Sequence, residues 1–212
     1  MAPRFYTFLM RGSMMGADRV KNLSDAVERL RPIAQAYNDF FLNRHYIFEF
    51  ANTSIDVHWL KHHFMHLTGL RCDVPLQMRN SYRRRHLQVP SGSEIFYDFL
   101  LRNSFGKPEI KAGHNLEIIN LKLAALEQLI RMPESVEYIA ESGNSKYDFF
   151  LGAENWCLGV TCTDEPSIDS DAKVHAPRTA QARSVLSTNI TKTGTKPIPI
   201  IDTRIIPRLN EN

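Results

Sequence analysis

His58, His62 and His66 recur at intervals of four, next to His63, in the least ordinary stretch of this chain. On one continuous helix they would share a face and could ligate zinc. Two features argue against that. Ile55, Val57 and Trp59 alternate with Asp56 and His58, a pattern that places His58 on a strand. The segment also has neither the glutamate of an HExxH motif nor any other acid to orient an imidazole. The other use of such histidines is metal-free acid and base chemistry, because imidazole titrates near neutrality. A phosphodiester next to a ribose 2′-OH can be cleaved that way. A base takes the hydroxyl proton, the oxygen attacks phosphorus, a cation holds the charge that builds up, and an acid protonates the departing 5′ oxygen. For each single histidine a solvated or hydrogen-bonded surface role is the competing account.

Such a site needs cations and hydroxyls as well. Arg83, Arg84 and Arg85 form a cluster able to hold phosphates, and the neighbouring Tyr82 offers a ring for a base to stack on. A solvated loop without a ligand accounts for the same residues. Arg178, Arg183 and Ser184 make a second basic and hydroxylic stretch suited to an anionic substrate. Lys122 interrupts an otherwise apolar helical run, so it either snorkels to solvent or points into a site.

The elements that must position these groups follow from periodicity. Leu23, Val27, Leu30, Ala34, Tyr37 and Phe41 predict an amphipathic helix, with Asn22 capping the amide of Asp25. Tyr46 to Trp59 predicts a β-hairpin turning at Asn52 and Thr53, and Gly69 closes the histidine segment. The basic stretch from Leu70 to Val89 predicts a mobile loop. Two helices are expected at Ser93 to Leu101 and Leu116 to Met132, the second nearly fully buried. Strands are expected at Val136 to Ala140, Tyr147 to Leu151 and Cys157 to Thr163, and a short one at Arg183 to Leu186. Ile198 to Ile206, broken by Pro199, suits an edge strand or an extended arm. The predicted architecture is α+β: N-terminal helices packed on a twisted, mainly antiparallel sheet of four to six strands. The predicted division is an N-terminal extension over 1–21, a single α+β domain over 22–190 and a C-terminal tail over 191–212.

Composition excludes whole classes. With 212 residues, 43% of them hydrophobic, the chain can bury one sizeable core. Twenty-six Lys and Arg against twenty-three Asp and Glu leave +3, so this is no polycation, and binding to nucleic acid would depend on where charges cluster. No apolar run approaches the roughly 20 residues of a membrane span, and no secretory leader is visible. The expectation is a cytoplasmic protein with no membrane partner. Cys72, Cys157 and Cys162 are odd in number and lack a CxxC pair, which disfavours a disulfide framework or a thiolate zinc site.

Phe64-Met65-His66-Leu67-Thr68-Gly69, preceded by the hairpin from Tyr46 to Trp59, resembles the phage-associated branch of the barnase, EndoU, colicin and RelE-like (BECR fold) nucleases. Lys122 on its helix, the strands from Tyr147 to Thr163 and the stretch Pro177 to Ser184 would be the other matching parts. The resemblance implies a metal-independent endoribonuclease of toxin or phage-effector type that needs no cofactor, with RNA as substrate and an antitoxin among its partners. His66 would be the acid or base, Thr68 a phosphate-positioning hydroxyl, Lys122 or Arg183 the cation and Ser184 a second hydroxyl donor. Tyr82, Arg83, Arg84, Arg85 and Arg178 would hold the nucleic acid. Two alternatives stay open: a nuclease-like module that binds RNA or a protein without turnover, and a zinc-dependent hydrolase using His58, His62 and His66.

Overall fold

The computed structural model describes residues 19–102, 108–130, 135–168, 172–187 and 189–207. Of the expected N-terminal extension only residues 19–21 fall within that set. The described residues form an α+β fold with five helices. Helix α1 (Leu23–Phe40) starts at Asn22, whose side chain accepts the amide of Asp25 as expected, and it buries one face from Ala26 to Tyr37. The hairpin β1 (Arg44–Phe50) and β2 (Thr53–His58) follows, then a short helix α2 (His63–Thr68). Gly69 ends α2 with φ +76°, a conformation that favours glycine.

The stretch expected to be a mobile loop is ordered instead. It forms β3 (Leu70–Asp73) and helix α3 (Leu76–Arg84), which has no buried residue. Helix periodicity gives no signal there because α3 has no apolar face; only Met78 is half-buried against the core. Helix α4 (Gly92–Arg102), strand β4 (Glu109–Ala112) and helix α5 (Leu116–Leu129) come next. Leu116, Ile118 and Leu121 of α5 are exposed, so this helix is amphipathic and not nearly fully buried. Helix α1 packs against α4 and α5, and Arg29 clamps Glu127 of α5 through two hydrogen bonds of 2.7 and 3.0 Å.

Strands β5 (Tyr138–Glu141), β6 (Phe149–Gly152) and β7 (Cys157–Cys162) are antiparallel neighbours, close to their expected bounds. Strand β8 (Lys173–Gln181) is central, antiparallel to β7 and parallel to β2, the one parallel pairing among the described strands. It was hidden by Pro177, which ordinarily argues against a central strand. Pro177 is tolerated because the ladder is irregular there: Val160 pairs with Pro177 and Gly159 with Thr179, which leaves Arg178 as the extra residue of a bulge. The short strand expected at Arg183 to Leu186 is a turn.

Strands β9 (Ile198–Pro199) and β10 (Asp202–Pro207) complete a sheet ordered β10-β1-β2-β8-β7-β6-β5-β9. It has eight strands, more than the four to six expected, and a separate pair joins β3 to β4. β9 and β10 lie at opposite edges yet are consecutive in the chain. Ile200 donates its amide to Glu137 O at 2.9 Å, and Ile201 donates to Glu49 O at 2.8 Å. Two successive amides therefore reach both edges, which forces the sheet to curl on itself.

Candidate active site

Helix α2 is held by its apolar side. Phe64 packs edge-on against Tyr37 and Tyr97, with ring centroids 4.9 and 5.4 Å apart, and Leu67 is fully buried. Burying positions 64 and 67 turns 62 and 66 outward, since residues four apart share a helix face. His62 and His66 are accordingly exposed. His66 lies at the lip of a cleft of about 440 Å³, bordered by Gly69, Arg71, Asp73, Gly113 and His114.

Two elements bring charge to this lip. Helix α5 supplies Lys122, only 8% exposed, whose Nζ donates to Thr179 Oγ1 at 2.8 Å. The lysine stem passes over Gly69, where a Cβ would stand 2.8 Å from Lys122 Cδ and 3.3 Å from His114 Cδ2. Gly69 is therefore favoured by its left-handed backbone, and a side chain there would also displace the Lys122 stem and the His114 ring. Strand β8 supplies Arg178 and Thr179 at its bulge. Arg178, the extra residue, is exposed, while Thr179 turns inward to the lysine. Across the bulge only a glycine fits at 159, because a Cβ there would meet the Thr179 methyl at 2.8 Å.

These cations act on the histidines. His66 is held below the usual imidazole range by desolvation first, then by the positive charges of Arg178, His62 and Lys122. Its ring is therefore in the proton-accepting form at neutral pH. His63 is buried and pushed down to about 3, chiefly by burial, with His62, Arg178, His58 and His66 adding to it. Its Nδ1 accepts the Leu60 amide at 3.2 Å, so it is a neutral structural acceptor. Burial also brings the Lys122 ammonium down to about 8, which leaves it mostly charged at pH 7.

Several expected roles change. Thr68 is fully buried; its hydroxyl donates to Met65 O at 2.8 Å and accepts from Leu70 N at 3.1 Å. That hydroxyl closes the end of α2 and is not free to position a phosphate. Arg183 and Ser184 lie in the turn after β8, where Ser184 Oγ accepts the Leu186 amide at 3.0 Å and Arg183 stands near Cys157. Among the described residues no hydrogen bond or ion pair joins either of them to His66. The cations beside His66 are Lys122 and Arg178.

Arg83, Arg84 and Arg85 form an exposed basic end to α3 beside the half-buried Tyr82, with the Arg85 guanidinium 5.3 Å from the Tyr82 ring centroid. Strand β3, which borders the cleft, leads directly into this helix. The zinc trio is divided. His58 is a buried strand residue with Nδ1 2.6 Å from Glu165 Oε2 and its ring stacked 4.1 Å from His45, whereas His62 and His66 are on α2. Among the described residues no three His, Cys, Asp or Glu side chains are grouped to hold a metal ion.

Sequence reasoning missed His114 and Thr179. For His114 the one signal was the order Gly113-His114-Asn115, a glycine turn and a helix cap around a titratable residue; for Thr179 there was none.

The family model described as phage-Barnase-EndoU-ColicinE5/D-RelE like nuclease4 matches residues 29–194. The chain belongs to this nuclease family. The match runs from α1 through β8 and takes in every residue of the cleft. No curated protein matches this nuclease, and no solved structure does. Among the described residues no helix is long and apolar enough to cross a membrane. Nucleic acid is the substrate class of such a nuclease.

Proposed function

We propose that this nuclease is a metal-independent endoribonuclease that cleaves RNA by attack of a ribose 2′-OH on the adjacent phosphorus. One observation carries the reading: His66 stands exposed at a cleft while two cations, Lys122 and Arg178, lie close enough to depress its pKa. His66, unprotonated at neutral pH, takes the proton from the 2′-OH. Lys122 and Arg178 hold the phosphate as its charge grows, worth about 3 kcal/mol for one well-placed donor. Thr179 holds the lysine in place. The arginines at 83, 84 and 85, with Tyr82, hold RNA beyond the cleft.

An effector role fits this chemistry: a cytoplasmic toxin acting on cellular RNA, with an antidote protein protecting the cell that makes it. Growth arrest on expression, relieved by His66→Ala, is the expected sign of that role.

The direct test is cleavage of RNA by the purified protein in excess chelator, with the new ends read for a 2′,3′-cyclic phosphate. His66→Ala is expected to slow cleavage about 10² to 10⁴-fold with an unchanged Tm. Equal cleavage by variant and wild type removes His66 from the reaction. RNA that is bound in a salt-dependent way but recovered intact makes the protein a binding module instead.

A further inference from the structure

Transesterification needs a proton donor as well as a base. We propose that His114 is that donor, giving its ring proton to the 5′ oxygen as it leaves. This rests on the reading of the cleft as an RNA-cleaving site.

The geometry is the first support. His114 and His66 border the same cleft, and the His114 ring and the Lys122 stem both stand over Gly69, three residues beyond His66. The two histidines come from different elements, but their backbones are tied. In the β3–β4 pair Leu70 is opposite Ala112, and the Gly113 amide donates to Gly69 O at 3.0 Å. A Cβ at Gly113 would lie 2.7 Å from that same carbonyl, so glycine is what permits the close approach. On the other side Asn115 caps α5 by accepting the Ile118 amide at 2.9 Å. His114 is thus fixed between a strand end and a helix start, while its side chain stays exposed.

The second support is the chemistry of the other groups in the cleft. The Asp73 carboxyl is held low by Lys111, whose Nζ lies 2.7 Å away, so it stays ionised and has no proton to give. Burial pushes the Cys72 thiol up to about 11, and its Sγ faces Asp73 O. Arg71 keeps its protons at any working pH. The Lys122 ammonium gives one hydrogen to Thr179 and, in the reading above, the others to the phosphate whose charge it holds. His62, one turn before His66, packs edge-on against His63 and does not border the cleft. An imidazole at 114 is the remaining donor.

The step balances without a co-reactant. The 2′-OH proton passes to His66, the O2′–P bond forms, the P–O5′ bond breaks, and the His114 proton goes to O5′. The products are a 2′,3′-cyclic phosphate and a 5′-hydroxyl, and the two imidazoles have exchanged protonation states.

The leaving group tests this. A ribonucleoside 3′-(4-nitrophenyl phosphate) departs as a stable phenolate that needs no proton, whereas an RNA 5′ alkoxide does. His114→Ala is expected to slow RNA cleavage about 10² to 10³-fold while turnover of the nitrophenyl ester stays within a few-fold of wild type. His66→Ala is expected to lose both. His114→Gln, which keeps a polar side chain of similar reach, should behave as His114→Ala does. If the His114 variants lose both substrates equally, or neither, the proposal is overturned while the ribonuclease reading stands. If the wild type turns over neither substrate, that reading fails and the proposal with it.

Discussion

Lys122→Met separates function from stability. The lysine is buried, and no carboxylate is among the causes of its shift, which is desolvation alone. A fall from the ordinary 10.5 to about 8 means that holding the charge inside costs about 3 kcal/mol at neutral pH. Methionine removes that cost but also the hydrogen bond to Thr179, leaving a buried hydroxyl without its donor, a loss of about 1–3 kcal/mol. The net change at pH 7 is therefore between zero and a gain of about 2 kcal/mol, or up to several degrees in Tm for a chain of this size. Cleavage is expected to fall about 10² to 10³-fold.

The pH dependence of that difference has a definite sign. Between pH 8 and 10.5 the unfolded chain binds more protons at Lys122 than the folded one does. Wild-type stability thus gains from this group as pH rises through that window, by up to about 3 kcal/mol, and the variant gains nothing from it. Urea unfolding of both proteins from pH 7 to 10 measures the difference, and other titrating groups cancel in the subtraction. The variant should lose its advantage as pH rises. A variant that is less stable than wild type by more than about 2 kcal/mol at pH 7, or a difference that stays flat with pH, would refute the argument.

Two further outcomes follow from the same geometry. His63, depressed to about 3 in the fold, must be protonated by acid against burial and against the Leu60 amide that its Nδ1 accepts. Its folded pKa lies below the unfolded value, so stability is lost as pH falls from about 6.5 towards 3, by up to about 4 kcal/mol. His63→Asn, which keeps an acceptor near the same position, should flatten urea midpoints across that range; an unchanged acid limb assigns the loss to other groups. Replacing both Arg83 and Arg84 by Glu should weaken binding of uncleavable 2′-O-methyl RNA and lower the salt slope by about 1.4 for two lost phosphate contacts. Fluorescence anisotropy at several salt concentrations reads this, and an unaltered slope would take the end of α3 off the RNA path.

The His-Leu-Thr-Gly signature was legible because it is local. The hairpin before it, the cap at Asn22 and the helix from Gly92 were legible for the same reason: each is written in neighbouring residues as alternation, a capping side chain or one apolar face. Thr68 shows the limit of such reading. Its place in the motif suggested a phosphate ligand, but whether a hydroxyl faces solvent or closes its own helix depends on the atoms around it, and here both of its bonds are internal. Arg183 and Ser184 resembled site residues by composition, yet the chain turns away just before them.

Local pattern therefore established the α+β class, most of the elements and a histidine that borders the cleft. Long-range packing decided which cations stand next to it. Lys122 meets Thr179 across 57 positions of the chain, Arg178 reaches out because a bulge set by β7 leaves it without a partner, and Gly113 docks on Gly69 through a strand pair. No window of neighbouring residues records these meetings, because they arise from register and from the space that glycines 69, 113 and 159 leave between elements. The curl that joins both sheet edges through Ile200 and Ile201 has the same origin: strand-like residues announce a strand, and only the assembled sheet chooses its neighbours.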